Sequence, residues 1–239
     1  MSDRPTDPTR KVSPLELARI ALRGAASYLA APKQAEPTAG AEAAAADVVS
    51  ADTRREQRLP PGQVKAKKWP VLHAGRTPKV DLERWAFRAS GLVERPRSWS
   101  WAEFRSLPAV AVYADMHCVT RWSLLDNVWE GVSVREVLRL VEPKPEARFV
   151  LVLAEEGYTT NLPLADFAGE DCLFAWSHNG QPLTPNHGGP LRLVVPRLYA
   201  WKSAKWIRGI ELLAEDRPGF WERNGYHDHG DPWAEKRFS

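Results

Sequence analysis

The stretch from Pro182 to Trp206 reads PLTPNHGGPLRLVVPRLYAWKSAKW, and the interpretation of the whole chain starts from it. A turn at Gly188-Gly189-Pro190 leads into an apolar strand, which a basic segment follows. Glycine in a turn lets backbone N–H groups approach a phosphate closely, and Arg192, Lys202 and Lys205 would supply the balancing charge. The stretch therefore predicts an anion-binding site, and a plain hairpin with surface lysines is the equally weighted alternative.

A second stretch, DMHCVTRWS at residues 115–123, places a cysteine directly after the apolar run Val110–Ala114. Cys118 ends a predicted strand, and positive charge on His117 and Arg121 beside it would favour its thiolate form. Thiolate sulfur suits soft or thiophilic metals better than magnesium or calcium. The residues alone leave three alternatives open, namely a metal ligand, a nucleophile and an inert cysteine of the core.

Composition places the folded part late in the chain. The 239 residues suffice for one large domain, and all eleven tryptophans and both cysteines lie between Trp69 and Trp233. Residues 1–68 carry 12 Lys/Arg against 8 Asp/Glu, a charge of +4, and the remainder carries 21 against 22, or −1, so the positive net charge of +3 is assigned to a tail. A near-neutral fold is not expected to bind nucleic acid, which would require a basic stripe on its surface.

The first 58 residues are predicted to lie outside the domain, which spans residues 59–239. Residues 14–31 have the spacing of a short amphipathic helix that docks on its own domain or frays, with contact to a membrane surface or a partner protein as the alternative. Residues 32–58 have the composition of a linker. The N-terminus carries no export signal and no apolar run is long enough to span a membrane, so a cytoplasmic location is expected.

The remaining pattern indicates an α+β fold with a mixed sheet and short helices. Six apolar runs have strand character: Trp85–Val93, Val110–Ala114, Phe149–Leu153, Cys172–Trp176, Leu191–Val195 and Trp206–Leu213. Capping boxes at residues 100–103 and 133–136 each predict the start of a helix. Strands and helices alternate irregularly and no phosphate-binding glycine motif of the nucleotide-binding folds occurs, which excludes that class.

The C-terminal run PGFWERNGYHDHGDPW raises the question of a metal site. It contains His227, Asp228, His229 and Asp231, but alternate residues of an extended segment face opposite ways. No cysteine or remote histidine completes a familiar zinc ligand set. A loop that packs against the domain is therefore predicted here.

Three motifs, in family order from about residue 59 to the end, resemble those of the sulfite oxidase and assimilatory nitrate reductase family. The similarity is closest to the branch with bacterial methionine-sulfoxide-reducing enzymes and their small cytosolic relatives. The first motif is Cys118-Val119-x-x-Trp122-Ser123, followed by Trp129-Glu130-Gly131. The second is Gly157-Tyr158 before Leu162-Pro163-Leu164, with Asn179–Leu183 after it. The third is His187-Gly188-x-Pro190-x-Arg192 with Lys205-Trp206.

The resemblance implies a sulfite-oxidase-type domain that binds molybdenum through one molybdopterin. Cys118 would be the protein's ligand to the metal, and Tyr158 would match the family's active-site tyrosine. Tyr158 would face the substrate, with His117 or Arg121 as further candidates on that side. The positions expected to hold the cofactor are His73, Cys118, His187, Arg192, Lys202, Ser203 and Lys205.

The sequence departs from the family in the arginines that bind substrate, and no later arginine clearly matches the second of them, although Arg121 is a candidate for part of that role. Val71 stands two residues before His73, where sulfite oxidases place an arginine. Planar arginine forks hold a doubly charged oxyanion best, so reduction of an S-oxide or N-oxide is favoured over oxidation of sulfite. An external electron carrier is expected as partner. The alternative is a cofactor-holding redox or assembly subunit that serves a membrane or electron-transfer partner.

Overall fold

The structure is a computed structural model that describes residues 45–239. The helix predicted over residues 14–31 lies outside the described residues. Within the described residues there are twelve strands, in chain order β1 (Val48–Val49), β2 (Val64–Lys65), β3 (Ala86–Gly91), β4 (Arg97–Ser100), β5 (Ala109–His117), β6 (Trp122–Ser133), β7 (Phe149–Ala154), β8 (Thr159–Pro163), β9 (Leu173–His178), β10 (Gln181–Pro182), β11 (Arg192–Val194) and β12 (Ile207–Leu213).

The strands form two mixed sheets. The larger sheet has the order β1-β5-β6-β9-β10, with β2 paired to β6 and β11 paired to β9. The smaller sheet has the order β4-β3-β12-β7-β8. Three pairings are parallel, those of β1 with β5, β2 with β6 and β3 with β12, and the others are antiparallel. The predicted α+β class with a mixed sheet is confirmed.

Three short α-helices connect the strands, α1 (Trp101–Arg105), α2 (Val134–Val141) and α3 (Leu164–Phe167). The predicted capping box opens α1, since Ser100 accepts from the backbone of Glu103 and the Glu103 carboxylate accepts in return. At α2 only one of the two hydrogen bonds of a capping interaction is present. Ser133 accepts from the backbone of Arg135, but the Glu136 side chain pairs with an arginine one turn later in the helix.

The main core packs helices α1 and α2 and the smaller sheet against one face of the larger sheet. Phe87 on β3 and Phe104 on α1 are both fully buried, with ring centroids 4.8 Å apart, and Phe174 on β9 lies 4.9 Å from Phe87. A fully buried phenylalanine stabilises a fold by roughly 1.5–3 kcal/mol, with a further contribution from edge contacts between rings. This core fixes the β5–β6 hairpin and β11 in one body.

The predicted boundary between residues 58 and 59 lies too late. β1 pairs with β5, the Ser50 hydroxyl donates to Asp171 at 2.7 Å, and Arg58 binds Asp115 through two nitrogens. This segment joins the fold through main-chain pairing and buried polar contacts rather than through large apolar side chains, so composition did not reveal it. Residues 45–68 hold 6 Lys/Arg against 3 Asp/Glu, so most of the excess charge assigned to the tail belongs to the folded part.

No helix within residues 45–239 has the length and apolarity needed to cross a bilayer.

Candidate active site

A cavity of about 1010 Å³ opens between the β5–β6 turn and the segment that follows β11. Its lining includes six of the predicted site residues, namely His73, Cys118, Tyr158, Arg192, Ser203 and Lys205. The predicted sulfur ligand and the predicted anion-binding strand therefore share one cavity. The other four predicted residues, His117, Arg121, His187 and Lys202, do not line it.

Cys118 lies in the tight turn that joins β5 to β6. Its backbone N–H donates to the carbonyl of Trp122 at 2.8 Å, and its Sγ is 3.2 Å from the Thr120 hydroxyl. Burial raises the pKa of the Cys118 thiol, while the contact with Thr120 and the charges of Lys205 and Arg237 act to lower it. A cation bound at the sulfur would shift this balance strongly toward the thiolate.

His117 and Arg121 do not supply the charge that was predicted for them. Successive strand residues point to opposite faces, so His117 turns away from the cavity and its Nδ1 lies 2.8 Å from the Ser123 hydroxyl. Burial lowers the pKa of His117, which favours the neutral ring. Arg121 is exposed, with a φ of 70°, at the corner of the turn. The prediction that these two residues face the substrate is wrong.

Arg192 is a buried cation that binds no carboxylate in the described part of the chain. It is only 2% exposed, and its three nitrogens donate to the carbonyls of His187 at 2.9 Å, Ser203 at 3.0 Å and Leu193 at 3.3 Å. Burial lowers the pKa of Arg192 to about 9. Buried charges are ordinarily paired, so a bound anion would complete this site.

Lys205 adds a second cation on the same side of the cavity. Its Nζ donates to the Asn186 carbonyl at 2.6 Å and lies 3.4 Å from Nδ1 of His73. Burial and the nearby charge of Arg192 hold the pKa of Lys205 well below its usual value. Two cations with depressed pKa values and carbonyl partners fit an anionic phosphate group better than they fit a hairpin surface.

The glycine turn positions these cations and does not itself line the cavity. Gly188 has a φ of 104°, and a Cβ added there would lie 3.0 Å from Lys205 side-chain carbons and 3.1 Å from Cβ of Arg192. Glycine is thus required both by backbone conformation and by close packing. The sequence predicted that the turn itself approaches the phosphate. In the structure the turn instead packs behind the side chains of Arg192 and Lys205 and supports them.

Lys202 stabilises the wall of the cavity and does not reach into it. Its Nζ is fully buried, 2.6 Å from Oε1 of Glu222 and 2.8 Å from the Asn161 carbonyl. Burial lowers the pKa of Lys202, although Glu222 acts to raise it. The prediction that Lys202 contacts the cofactor is therefore wrong, since its donors are already engaged. Ser203 does line the cavity, while its hydroxyl accepts from the backbone of Val195 at 2.9 Å.

His187 lies one layer behind the cavity surface. Its ring stacks on the cavity-lining Trp69 at a centroid distance of 4.0 Å. The ring of His178 lies 4.5 Å, between centroids, from both Trp69 and Trp129. Burial, with Lys205 and Arg192 nearby, lowers the pKa of His187 to about 4. Burial and Lys205 lower the pKa of His73 to about 4 as well.

These histidines predict a loss of stability in mild acid for protein purified without a cofactor. Unfolded histidine titrates near 6.5 and the folded rings near 4, so the unfolded chain binds more protons as the pH falls between those values. The free energy of unfolding, measured by urea denaturation, should fall as the pH is lowered from about 6.5 to 4. The variant His73→Gln/His187→Gln should flatten this dependence, and an unchanged slope in that variant would contradict the assignment.

The far wall of the cavity is aromatic, and it contains a tyrosine that the sequence reasoning missed. Tyr226 stacks on Trp221 at 4.8 Å and meets Trp201 edge-on at 5.0 Å. Burial, with Cys118 nearby, raises the pKa of Tyr226 to about 12. The hydroxyl of Tyr158 instead donates to the Trp201 carbonyl at 2.8 Å. Of the two phenols that line the cavity, Tyr226 is the better placed to serve a substrate.

Tyr226 belongs to the aromatic C-terminal run PGFWERNGYHDHGDPW, and the density of aromatic residues there is the sequence signal for it. The prediction for this run considered only its histidines and aspartates. Within residues 45–239 no group of three or more histidine, cysteine or acidic side chains converges on a metal-sized site. His229 contacts Asp166 at 2.9 Å, and the ring of His227 accepts from the backbone of His229. The prediction of a packed loop agrees with these contacts.

Comparisons with known proteins identify the family of the chain. The profile of the family described as "Oxidoreductase molybdopterin binding domain" matches residues 74–221. The chain is 51% identical over 183 residues to the "Uncharacterized oxidoreductase YuiH" of Bacillus subtilis, covering 76% of this chain and 92% of that protein. It is 31% identical over 188 residues to the sulfite oxidase of Arabidopsis thaliana, covering 64% of this chain and 48% of that protein.

Among solved structures, the sulfane dehydrogenase SoxCD of Paracoccus pantotrophus shares the fold. The TM-score is 0.57 at 19% sequence identity, over 64% of this chain and 43% of that one. The chain thus spans about half the length of these two larger proteins. The profile match covers more than half of the chain, and the B. subtilis relative aligns over nearly its whole length. The chain therefore belongs to the family of molybdopterin-binding oxidoreductase domains.

Proposed function

We propose that this oxidoreductase reduces neutral S-oxides or N-oxides by oxygen-atom transfer. The observation that carries the proposal is the division of the cavity into a cationic side and an aromatic side. Arg192 and Lys205 lie on the first, and Trp201, Phe220 and Trp221 line the second near Cys118. The cationic side suits the phosphate of the cofactor, which leaves the aromatic side for substrate.

An oxyanion substrate such as sulfite fits this arrangement poorly. Arg192 and Lys205 are assigned to the phosphate of the cofactor, and Arg121 lies outside the cavity. Arg76 lines the mouth of the cavity but is exposed to solvent. Desolvation of a doubly charged anion against apolar rings costs several kcal/mol without a buried counter-charge. A neutral oxide loses far less hydration free energy when it enters the same space.

Different residues of the chain would have separate roles in this reaction. A molybdenum–pterin group, when bound, supplies the two-electron oxygen-atom chemistry that amino acids lack. Cys118 would hold the metal and Arg192 and Lys205 the phosphate. The Tyr226 hydroxyl would donate a hydrogen bond to the oxygen of the substrate, and the indoles beside it would exclude water. Reduction of an S-oxide consumes two electrons and two protons and yields a sulfide and water, so an external carrier must deliver the electrons.

A substrate panel tests the proposal. With a reduced viologen as electron donor, the purified holoenzyme should reduce several S-oxides or N-oxides, and a parallel assay should show little oxidation of sulfite. Tyr226→Phe should lower kcat for the best oxide by about 100-fold, which is typical for a lost proton donor. Tyr158→Phe, the matched control, should change kcat by only a few-fold. Faster oxidation of sulfite than reduction of any oxide would contradict the proposal.

A further inference from the structure

The turn that carries Cys118 is held by two segments that lie far away in the sequence. Its own hydrogen bonds are those of the Cys118 N–H to the Trp122 carbonyl at 2.8 Å, of the Arg121 N–H to the Cys118 carbonyl at 3.1 Å, and between the Cys118 Sγ and the Thr120 hydroxyl at 3.2 Å. These bonds set the local shape of the turn, but they do not fix its placement against the rest of the fold. Contacts from outside the turn therefore decide where the sulfur lies.

The first outside contact comes from Gln63, just before β2. Its Nε2 donates to the Cys118 carbonyl at 2.9 Å, and its Oε1 accepts from the Ser123 hydroxyl at 3.1 Å. Ser123 in turn lies 2.8 Å from Nδ1 of His117. Gln63, Ser123 and His117 are all buried, so this chain of contacts is shielded from water and fixes the peptide of Cys118 from behind.

The second outside contact comes from Arg237, near the C-terminal end of the sequence. Its Nη1 donates to the Val119 carbonyl at 2.6 Å, and its Nη2 lies 3.4 Å from the Pro61 carbonyl. Arg237 is only 7% exposed, and its guanidinium lies 5.0 Å from the centroid of the Tyr199 ring. One rigid cation thus connects the cysteine turn to the segment that bears Gln63.

We propose that Arg237 and Gln63 are positioning residues that fix the orientation of the Cys118 sulfur toward the molybdenum. Groups behind a metal ligand set its orientation and electronic character, and their loss typically costs 10–100-fold in metal affinity or activity. The planar fork of arginine donates to two carbonyls in fixed directions, which a lysine does not reproduce. Nothing in this proposal depends on which oxide is the substrate, but it does rest on Cys118 as the ligand.

A purely structural role for Arg237 is the competing interpretation. In that case the side chain would only anchor the C-terminal segment, and its removal would lower stability without altering the metal. The electron paramagnetic resonance spectrum of the Mo(V) state separates the two, since it reports the ligand geometry and not the global stability.

The test compares Arg237→Met with Lys236→Met in the full-length holoenzyme. Lys236 is exposed on the same segment, so its replacement removes the same charge without touching the turn. We expect Arg237→Met to shift the Mo(V) g-values and to lower kcat by 10–100-fold. Arg237→Lys should give an intermediate result and Lys236→Met the wild-type spectrum. A wild-type spectrum and kcat in Arg237→Met would overturn the proposal for Arg237.

The variant Gln63→Met provides an independent test of the proposal if Arg237→Met does not fold. It removes the donor to the Cys118 carbonyl at nearly constant volume, and we expect a shifted Mo(V) spectrum at a molybdenum content close to that of the wild type. Unchanged g-values in a fully loaded Gln63→Met protein would overturn the proposal for Gln63. Loss of molybdenum from either variant, with the thermal stability of the cofactor-free protein unchanged, would support it.

Discussion

Replacement of Cys118 by serine is expected to reduce turnover with a reduced viologen to the background rate while the fold remains nearly intact. A serine hydroxyl is a harder and weaker ligand than a thiolate, so the electron density at the metal changes even if the side chain still reaches it. The replacement removes one buried sulfur from a turn, and its volume change is small. Circular dichroism and a viologen-coupled assay measure the two effects separately.

Cys172 provides the matched control for this experiment. It is also a buried free cysteine, but it does not line the cavity, and its Sγ lies 3.3 Å from the Asp166 carbonyl. Burial raises the pKa of its thiol, as expected for a small apolar side chain of the core. Cys172→Ser should retain turnover with a small loss of stability. Turnover at the wild-type level in Cys118→Ser would show that Cys118 is not the ligand.

Replacement of Lys202 by methionine is expected to lower the free energy of unfolding by about 3–5 kcal/mol. The ion pair of Lys202 with Glu222 has both side chains fully buried, and removal of one partner leaves an uncompensated charge inside the protein. Glu222 also accepts from the Trp201 indole at 2.9 Å, so the aromatic wall of the cavity should loosen together with the fold. Urea denaturation followed by fluorescence measures the effect.

Two further variants make the Lys202 experiment decisive. Lys202→Met/Glu222→Gln removes both charges and should recover part of the lost stability. Arg139→Met breaks an exposed pair with Glu136 and should cost far less than Lys202→Met, because solvent screens an exposed pair. If Lys202→Met instead unfolds like the wild type but loses the cofactor, then Lys202 contacts the cofactor and our placement of it is wrong.

The sequence predicted those elements that a short local run of residues specifies. Five of the six apolar runs coincide closely with β3, β7, β9, β11 and β12, and the sixth falls inside β5. Cys118 and Arg192 were also identified as parts of one site, because their motifs occur in family order. Each of these signals depends on a short run of residues and needs no knowledge of the tertiary structure.

The longest strand, β6, was missed because its hydrophobic pattern is interrupted. Asp126 adopts a φ of 63° within it, and the register with β9 shifts between Glu130 and Gly131. Irregularities of this kind break the two-residue alternation on which a strand prediction rests. Tertiary pairing with β5 and β9 overrides the local sequence at this place.

The errors at the site share one physical cause, which is that neighbours in sequence are not neighbours in space. His117 and Arg121 flank Cys118 in the chain but face away from the cavity. The charges that do act on the sulfur belong to Lys205 and Arg237, more than 80 residues further along the chain. Contacts of such separation follow from the complete fold and not from any local motif.

Molybdenum K-edge X-ray absorption on the holoenzyme tests the central claim most directly. Wild-type protein should contain about one molybdenum per chain, and its spectrum should show one sulfur neighbour more than the spectrum of a molybdenum-loaded Cys118→Ser variant. The same sulfur coordination in both proteins would contradict the assignment of Cys118. A well-folded wild-type preparation without molybdenum, from a host that makes the cofactor, would contradict the account as a whole.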